Sequence, residues 1–356
     1  ICCTYYLKGI PSLRLSAACE PVIGAQANKI PGRVIDLLFI VGLISSAATG
    51  LGFGTSVAAS ALTRLVNIED GFSTQLGIIS IMTVLIAFSV YRGLDEGIKT
   101  LSNVNSVLAL SLVAFVFIVG PTQFIAEMSV TAVGNLVQNF FTMLTSTDAL
   151  TDSDFVESWT VFYWAWWLAL GPFVGMFVCK ISEGRTLREL IFGMLFWGSA
   201  GCALFFMVLG NYALDTELRG LHGVVDETLD VSPSAALASL IERLPLGSFW
   251  LAFLAVIGII FTATTYDSAS YTLAAGASVR LAPGEHPARW HRVFWAIALG
   301  VLPACLLSLG GLKALQTASV VASLPLLFVY LIMYIAIIKT LREVTETQPV
   351  PHSAGG

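Results

Sequence analysis

Charged side chains are scarce in this sequence. Lys, Arg, Asp and Glu make up 12% of its 356 residues, whereas soluble globular domains carry about 25%. The net charge is −5 and no basic patch occurs, which argues against a nucleic-acid-binding protein. Apolar residues account for 56% of the chain, and the mean hydropathy is +0.83. The composition therefore predicts one integral membrane domain, with room for roughly eight to ten spans of about 20 residues.

Residues that hold metals or act as catalytic bases are also few. The four histidines are expected in loops or in the C-terminal tail. The six cysteines show no metal-ligand spacing and are interpreted as structural thiols. Because no nucleophile–base pair or ligand cluster is recognisable, we predict that the chain is not an enzyme and uses no cofactor. A cleavable signal peptide is not recognisable either.

Long apolar runs predict eight transmembrane helices. Their approximate bounds are 35–62, 74–92, 103–121, 158–179, 190–213, 247–275, 292–311 and 315–340. The opening residues 1–7 are too short to span a bilayer and are interpreted as the end of a further helix.

Lys and Arg are concentrated in alternate loops: before the first run, after the fourth and after the sixth. Because basic residues collect on the cytoplasmic side, these loops and the C-terminal tail are predicted to be cytoplasmic. The acid-rich loops between them are predicted to face outside. Two of these, 129–145 and 234–244, have apolar residues at helical spacing. Each is predicted to be either an interfacial helix or a helix packed on the bundle.

Two carboxylates, Asp36 and Asp267, lie within the apolar runs. Ionisable groups at bilayer depth are costly and are usually functional. Asp36 is close to the cytoplasmic end of its run, so a role as an interfacial anchor is equally open. Asp267 is deeper and is surrounded by hydroxyl groups, an oxygen-rich set that suits a hard cation. For Thr262 and Ser270, a hydrogen bond to their own helix backbone is the favoured interpretation.

The segment Trp159–Trp167 contains four tryptophans, a phenylalanine and a tyrosine within nine residues. A single aromatic residue in a membrane protein is usually a packing or interfacial residue, but that does not explain such a density. Tryptophan faces attract cations without a hydrogen bond, which suits quaternary ammonium groups. The segment therefore predicts a carrier of betaine-like or choline-like solutes.

Residues 159–177 and the following Lys-Ile-Ser-Glu-Gly-Arg-Thr-Leu-Arg-Glu (180–189) closely resemble the signature region of the betaine/choline/carnitine transporter family. The similarity extends through 32–36, 99–105 and 264–270, and so covers essentially the whole chain. The resemblance implies an all-α integral membrane protein with a LeuT-like core of two inverted five-helix repeats. Such proteins are often homotrimers and move quaternary ammonium solutes across the bilayer by alternating access.

Under this resemblance, residues 1–356 form a single transmembrane transporter domain. Residues 1–7 would end core helix two, 8–33 would be a cytoplasmic loop, 34–341 core helices three to ten, and 342–356 a cytoplasmic tail. Core helix one, whose glycine-rich stretch contacts substrate and sodium in the family, is expected to be absent from the sequence, as are two peripheral helices. The expected location is the bacterial plasma (inner) membrane. The long basic C-terminal helix of osmosensing members is not seen, so no such regulation is expected.

The resemblance also implies a substrate site. Trp167 matches the family's central-site tryptophan, and Trp166 matches its neighbour along the outer path. Other aromatic residues would line or support the path or lie below the site: Phe162, Tyr163, Trp164, Phe173 and Phe177. A further tryptophan often follows three residues after the Trp167 position, where this chain has Leu170. The aromatic box is therefore expected to differ on its cytoplasmic side.

Sodium is the coupling ion that the resemblance implies. Phe261, through its carbonyl, and Thr264 and Thr265, through carbonyl or hydroxyl oxygens, match the family's second sodium site. The sodium-independent exchangers differ there. The first sodium site uses two threonines four residues apart, and the corresponding positions here are Leu43 and Ala47, which puts a two-sodium stoichiometry in doubt.

Small residues form a stripe in Thr49–Thr55, with glycines at alternate positions. Small residues let membrane helices approach closely. The stripe is read first as a packing surface and second as a hinge. The helix that contains Phe261–Ser270 is its expected inverted-repeat partner.

These observations predict a sodium-coupled symporter for glycine betaine or a related onium osmoprotectant. A sodium-independent exchanger of carnitine type is the alternative within transport, disfavoured by Thr264 and Thr265. From another class of protein, a membrane sensor could bind onium ligands without moving them. The aromatic residues alone do not separate choline from betaine or carnitine.

Overall fold

The structure is a computed structural model that describes residues 14–68, 71–92, 95–149, 153–182, 184–278, 281 and 285–347. Every regular element in these residues is helical. Inside a bilayer, backbone N–H and C=O groups need hydrogen bonds within the protein, and helices provide them. The predicted helix end at residues 1–7 and most of the predicted tail lie outside the described residues. The α-helices are α1 (Leu15–Ala18), α2 (Glu20–Ile23), α3 (Ile30–Val66), α4 (Phe72–Arg92), α5 (Asp95–Val119), α6 (Thr122–Gln138), α7 (Phe140–Thr145), α8 (Phe162–Ile181), α9 (Leu187–Phe205), α10 (Asn211–Leu218), α11 (Val224–Asp230), α12 (Pro233–Glu242), α13 (Gly247–Gly276) and α14 (Arg289–Thr347).

Eight helical segments within the described residues are long and apolar enough to cross a membrane. They are Ile30–Val66, Phe72–Tyr91, Thr100–Val119, Val156–Cys179, Leu187–Leu218, Gly247–Gly276, Arg289–Leu309 and Gly311–Glu343. The predicted all-α class and the eight spans are therefore confirmed. The relation between the two inverted repeats stays a prediction.

The last two spans belong to one helical stretch, α14. Gly311 has a φ of +60° there, in the left-handed region that glycine adopts without strain. This residue divides α14 close to the turn expected between the runs 292–311 and 315–340. The stretch begins at Arg289, three residues earlier than predicted, so His291 lies in its first turn and the expected loop position is wrong.

The segment before α3 is more ordered than the predicted loop over 8–33. It forms α1, α2 and a 3-10 turn, and Leu15 and Ser16 are fully buried. The Ser16 N–H and hydroxyl both donate to the Asp36 carboxylate, at 2.9 and 2.8 Å, and Arg14 Nη1 lies 3.6 Å from it. Asp36 therefore fixes the chain that precedes its own helix, and its predicted role as an interfacial anchor stays a prediction.

Contacts divide the chain into two compact units. The first unit comprises Ile1–Thr49, Trp159–Glu183 and Tyr266–Gly356, and the second comprises Gly50–Ser158 and Gly184–Thr265. In the first unit, α8 packs along α14. Its core contains large apolar side chains with less than 2% exposure: Phe39, Leu43, Leu273, Leu299, Leu315 and Leu326. The assignment of 1–356 to a single domain stays a prediction.

Buried hydroxyl groups join α3 to α14 inside the first unit. Thr49 Oγ1 lies 2.8 Å from both the Leu315 carbonyl oxygen and Ser319 Oγ, and Ser319 donates to the Ser45 carbonyl at 3.0 Å. Thr49 and Ser319 are fully buried. Each hydroxyl thus has protein partners, as groups in an apolar interior require.

The second unit has its own apolar core, formed by residues of α3, α5, α6, α12 and α13. Trp250 stacks on Phe115 with ring centroids 4.2 Å apart. In α12, Ala238 and Ile241 are fully buried in this core. For 234–244, the packed-helix alternative is therefore correct. By contrast, Val130 of α6 and Phe141 of α7 are 75% and 79% exposed, as an interfacial helix would require.

The glycine stripe of α3 packs closely against α13 within the second unit. A Cβ atom placed on Gly54 would lie 2.1 Å from Thr262 Oγ1, and one on Gly258 would lie 3.3 Å from the Gly54 carbonyl oxygen. At Gly54 there is no room for a side chain unless Thr262 moves. The interpretation of the stripe as a packing surface is thus confirmed at Gly54.

Candidate functional site

The tryptophan-rich segment forms one continuous helical surface in the first unit. A π-helical turn at Val156–Val161 leads into α8. The rings of Trp159 and Tyr163 are stacked at 6.0 Å and 12°, and those of Phe162 and Trp166 at 5.7 Å and 13°. Tyr163 and Trp167 each lie beside Trp166, with centroids 5.9 and 6.5 Å away. Helical spacing therefore brings five of the aromatic residues into one linked array.

Burial separates these aromatic residues into two kinds. Phe162 and Phe173 are 3% and 9% exposed, so they pack within the unit and support the helix. Trp164, Trp167 and Phe177 are 59%, 54% and 47% exposed. Their ring faces are available to a partner outside the unit's own core. Trp167, the residue matched to the family's central site, thus combines an accessible ring with a neighbour, Trp166, that fixes its surroundings.

Trp166 is held in place by α3. Its Nε1–H donates to the Ser46 carbonyl oxygen at 2.9 Å. The indole is only partly exposed, and its single polar atom is satisfied by this bond. The orientation of the ring is therefore fixed by a residue 120 positions away, which periodicity in the sequence does not indicate.

The predicted sodium ligands belong to the second unit, near the middle of α13. The Phe261 carbonyl oxygen accepts hydrogen bonds from Thr264 Oγ1 at 3.0 Å and from Thr265 Oγ1 at 2.9 Å. Three oxygens are thereby gathered on one side of the helix. Carbonyl and hydroxyl oxygens are ligands that hard cations accept, and both hydroxyls can rotate to present lone pairs instead of protons.

The other hydroxyls of this helix bond its backbone. Thr262 donates to the Gly258 carbonyl at 2.6 Å, and Ser270 donates to the Asp267 carbonyl at 2.8 Å, so the favoured interpretation of these two residues is correct. The Asp267 carboxylate is 3.9 Å from Arg292 Nη2, and both residues are buried. In the sequence, the Asp267 carboxylate belongs to an oxygen-rich set that suits a hard cation. In the structure, the positive group that faces this carboxylate is the Arg292 guanidinium.

The positions that correspond to the family's first sodium site are apolar and buried. Leu43 is fully buried and Ala47 is 2% exposed. The neighbouring Ser46 donates to the Leu43 carbonyl at 3.2 Å, and Thr49 is bonded to α14. These hydroxyls are used in packing, and the number of sodium ions stays a prediction.

A polar cluster in the second unit was not foreseen from the sequence. Glu227 accepts from Ser239 and from His222 Nε2, the latter at 2.6 Å, and forms an ion pair with Arg64. Arg64 also binds Glu242 at 2.8 Å. Burial acts to raise the pKa of Glu227, but the hydrogen bonds from Ser239 and His222 and the Arg64 charge lower it below the ordinary value. Among the described residues, no group of three or more His, Cys, Asp and Glu could hold a metal ion.

A family model and the related proteins found by comparison all point to one family of transporters. The model of the BCCT, betaine/carnitine/choline family transporter, matches residues 1–346. The chain is 31% identical over 344 residues to the carnitine transporter of Acinetobacter baumannii, covering 96% of this chain and 62% of that protein. It is 33% identical over 357 residues to the glycine betaine transporter OpuD of Bacillus subtilis, covering 98% and 68% respectively.

A third relative is the high-affinity choline transport protein of Escherichia coli K12. It is 32% identical over 338 residues, which are 95% of this chain and 50% of the relative. The chain thus spans between half and about two thirds of the length of these three relatives. Named members of the family are transporters and not enzymes, in agreement with the prediction that the chain is not an enzyme. The match over nearly its whole length shows that this multi-pass, all-α chain belongs to the betaine/carnitine/choline transporter family.

Proposed function

We propose that the protein takes up glycine betaine or a related quaternary ammonium solute by sodium symport and alternating access. The observation that carries this proposal is the linked aromatic array on α8, in which Trp167 is 54% exposed. Quaternary ammonium groups have no N–H to donate, so recognition by ring faces is the interaction that suits them. The location is proposed to be the bacterial plasma membrane.

The arrangement of Trp166 supports the same chemistry. Its Nε1–H is committed to the Ser46 carbonyl, so this ring contributes its faces and edges and not a hydrogen bond. A cation over a desolvated tryptophan face gains about 2 kcal/mol, against about 0.5–1 kcal/mol at an exposed site. Quaternary ammonium groups give up no N–H hydrogen bond to water when they reach a ring face, whereas ordinary ammonium ions would, so the array favours the quaternary class of solute.

The oxygens of Phe261, Thr264 and Thr265 support sodium as the coupling ion. Both hydroxyl oxygens lie within 3.0 Å of the Phe261 carbonyl oxygen on α13, so the three supply a set of hard ligands. Unwound or irregular helix backbone commonly completes such sites in transporters of this architecture. Sodium is transported cargo in this proposal, and these oxygens bind it.

Transport assays on the full-length protein in proteoliposomes test this proposal. Uptake of radiolabelled glycine betaine, choline and carnitine is measured with and without an inward sodium gradient. The variants are Trp167→Ala, the double change Thr264→Ala/Thr265→Ala, and the control Trp197→Ala. Trp197 is 72% exposed on α9 and has no role in the proposed site.

We expect gradient-driven uptake that Trp197→Ala retains. Trp167 is 54% exposed, so Trp167→Ala should weaken the apparent affinity about two- to fivefold, which corresponds to about 0.5–1 kcal/mol. The double threonine variant should lose the sodium dependence. Uptake that is indifferent to sodium in the unsubstituted protein would favour a carnitine-type exchanger. Saturable onium binding without uptake would contradict transport and support the sensor alternative.

A homotrimer is also part of the proposal. It rests on the resemblance to the family, since the exposed apolar residues of α6 and α7, such as Val130 and Phe141, suit lipid as well as another protein chain. The mass of the purified protein in detergent, measured by light scattering with detergent correction, checks this. A monomeric mass at all protein concentrations would contradict it.

A further inference from the structure

A proline inside a helix leaves one backbone carbonyl without its usual partner. Proline has no N–H, so the carbonyl four residues earlier receives no hydrogen bond from that position. Pro172 lies inside α8 and Pro303 inside α14. The carbonyls concerned belong to Leu168 and Leu299. In the interior of a membrane protein, a carbonyl of this kind needs a donor from elsewhere in the protein.

Two tyrosine hydroxyls supply these donors within the first unit. Tyr330 Oη donates to the Leu168 oxygen at 2.8 Å, and Tyr266 Oη donates to the Leu299 oxygen at 2.7 Å. Each hydroxyl reaches the carbonyl that its proline leaves open. The same chemical arrangement thus occurs twice, on different helices, with donors 162 and 33 residues away.

The contact at Leu168 depends on Gly171. A Cβ atom at Gly171 would lie 2.2 Å from Tyr330 Oη and 3.3 Å from its ring carbon Cζ. Any larger residue would push the hydroxyl away from α8. Glycine and proline in adjacent positions therefore act together: Gly171 admits the tyrosine, and Pro172 provides the open carbonyl that it binds.

This contact lies at the aromatic array. Leu168 directly follows Trp167, and Phe173 directly follows Pro172. Towards its N-terminal end, the same stretch is fixed by the bond from Trp166 to the Ser46 carbonyl. One bond therefore fixes the side chain directly before Trp167, and the other binds the backbone carbonyl directly after it.

We propose that Tyr330 is a positioning residue for the onium site, which orients the Trp167 segment by donating to the Leu168 carbonyl freed by Pro172. This inference rests on the proposed function of the aromatic array. Tyr330 acts through the backbone and needs no contact with the solute. Its loss leaves a carbonyl unpaired beside the site, so the helix relaxes towards another geometry and the ring of Trp167 moves with it.

A double-mutant cycle on the full-length protein tests the proposal. The proteins are the unsubstituted form, Tyr330→Phe, Pro172→Ala, and the double variant. Equilibrium binding of radiolabelled glycine betaine and choline gives the Kd, and the apparent melting temperature is recorded for each. Tyr334→Phe is the matched control, since this tyrosine is one turn away on the same helix and is 63% exposed. Gly171→Ala is a second route to the same loss.

Tyr330→Phe is expected to raise the Kd about five- to tenfold, because part of the binding energy is then used to return the Trp167 segment to its geometry, and the cost of leaving one carbonyl unpaired sets the upper limit. In the Pro172→Ala background, the same change should alter the Kd less than about twofold, because an alanine at this position restores an N–H for the Leu168 carbonyl. Tyr334→Phe should leave the Kd unchanged. Gly171→Ala should raise the Kd, and should have a smaller effect in the Tyr330→Phe background.

Equal effects of Tyr330→Phe in both backgrounds would overturn the inference, as would a Kd that Tyr330→Phe does not change. A melting temperature that falls without any change in Kd would reduce Tyr330 to a purely structural residue and would also overturn it. If the unsubstituted protein binds no onium probe, the proposed function fails instead. The coupling in melting temperature then decides separately whether the Tyr330 bond depends on Pro172.

Discussion

The close contact between α3 and α13 predicts that Gly54→Ala destabilises the protein. The new methyl group would stand 2.1 Å from Thr262 Oγ1, whereas ordinary van der Waals contact begins at 3.4 Å. The hydroxyl therefore has to withdraw by more than about 1 Å, which breaks its 2.6 Å hydrogen bond to the Gly258 carbonyl unless the helices separate.

The expected magnitude follows from three contributions. Overpacking a buried contact costs about 1–3 kcal/mol, and the lost hydrogen bond costs about 1 kcal/mol when the helices do not move apart. Replacing glycine by alanine inside a helix returns about 0.5–1 kcal/mol. We expect a net loss of about 1–3.5 kcal/mol in the free energy of unfolding. The control is Gly77→Ala in α4, where an added Cβ has no atom within 4 Å, so no destabilisation is expected.

The measurement is the apparent melting temperature of the purified protein in detergent, followed by tryptophan fluorescence. Gly54→Ala should melt below the unsubstituted protein, and Gly77→Ala should not. Thr262→Ala removes the oxygen that the new methyl meets, so the double variant Gly54→Ala/Thr262→Ala should melt above the temperature that the two single losses predict when added. Strictly additive losses, or a Gly54→Ala protein as stable as the Gly77→Ala control, would refute the steric explanation.

Three further changes have defined outcomes. Thr49→Val removes a buried hydroxyl that lies 2.8 Å from Ser319 Oγ and should lower the free energy of unfolding by about 1–3 kcal/mol. Thermal melts should show a smaller loss in a Ser319→Ala background, and an undiminished loss would contradict the contact. Trp166→Phe keeps an aromatic face but loses the donor to the Ser46 carbonyl. Binding assays should therefore show the Kd for glycine betaine rising about two- to tenfold. An unchanged Kd would mean that this bond does not orient the ring. The pKa of Glu227 is lowered in the folded protein, so its ionised form contributes stability above its unfolded pKa, and that contribution is lost as the pH falls through the lower folded pKa. Melting curves taken down to about pH 4 or below should therefore show a loss of stability on acidification that is smaller in Glu227→Gln, and parallel pH profiles would refute the assignment.

The transmembrane helices could be predicted from the sequence because burial in lipid imposes a simple rule. Every span must be about 20 apolar residues long and helical, and the eight predicted runs all correspond to observed spans. The ends were predicted less well. The Asp36 carboxylate binds Ser16 and so orders the segment before α3, and this contact depends on a turn of the chain that hydropathy does not report.

The candidate site was predictable to a different degree. The density of tryptophans in Trp159–Trp167 indicated the chemistry, and helical spacing links several of these rings as expected. Which rings are accessible was not predictable, because the exposure of Trp164 and the burial of Phe173 depend on what packs against α8. The bonds that fix the array come from Ser46 and Tyr330, which are distant in sequence.

The carbonyls freed by the prolines can be predicted from the sequence, whereas their hydrogen-bond donors can be identified only from the fold. From Pro172 and Pro303 alone, the sequence specifies which carbonyls lose their partners, since the proline ring removes the N–H that would bond to the residue four positions earlier. The absence of water in the hydrocarbon region then requires a donor for each. A second helix has to come close enough to supply it, and at Leu168 this depends on the missing side chain of Gly171. A proline within a span, next to a glycine, therefore predicts a hydroxyl-bearing residue on a neighbouring helix, even though only the fold identifies that residue as Tyr330.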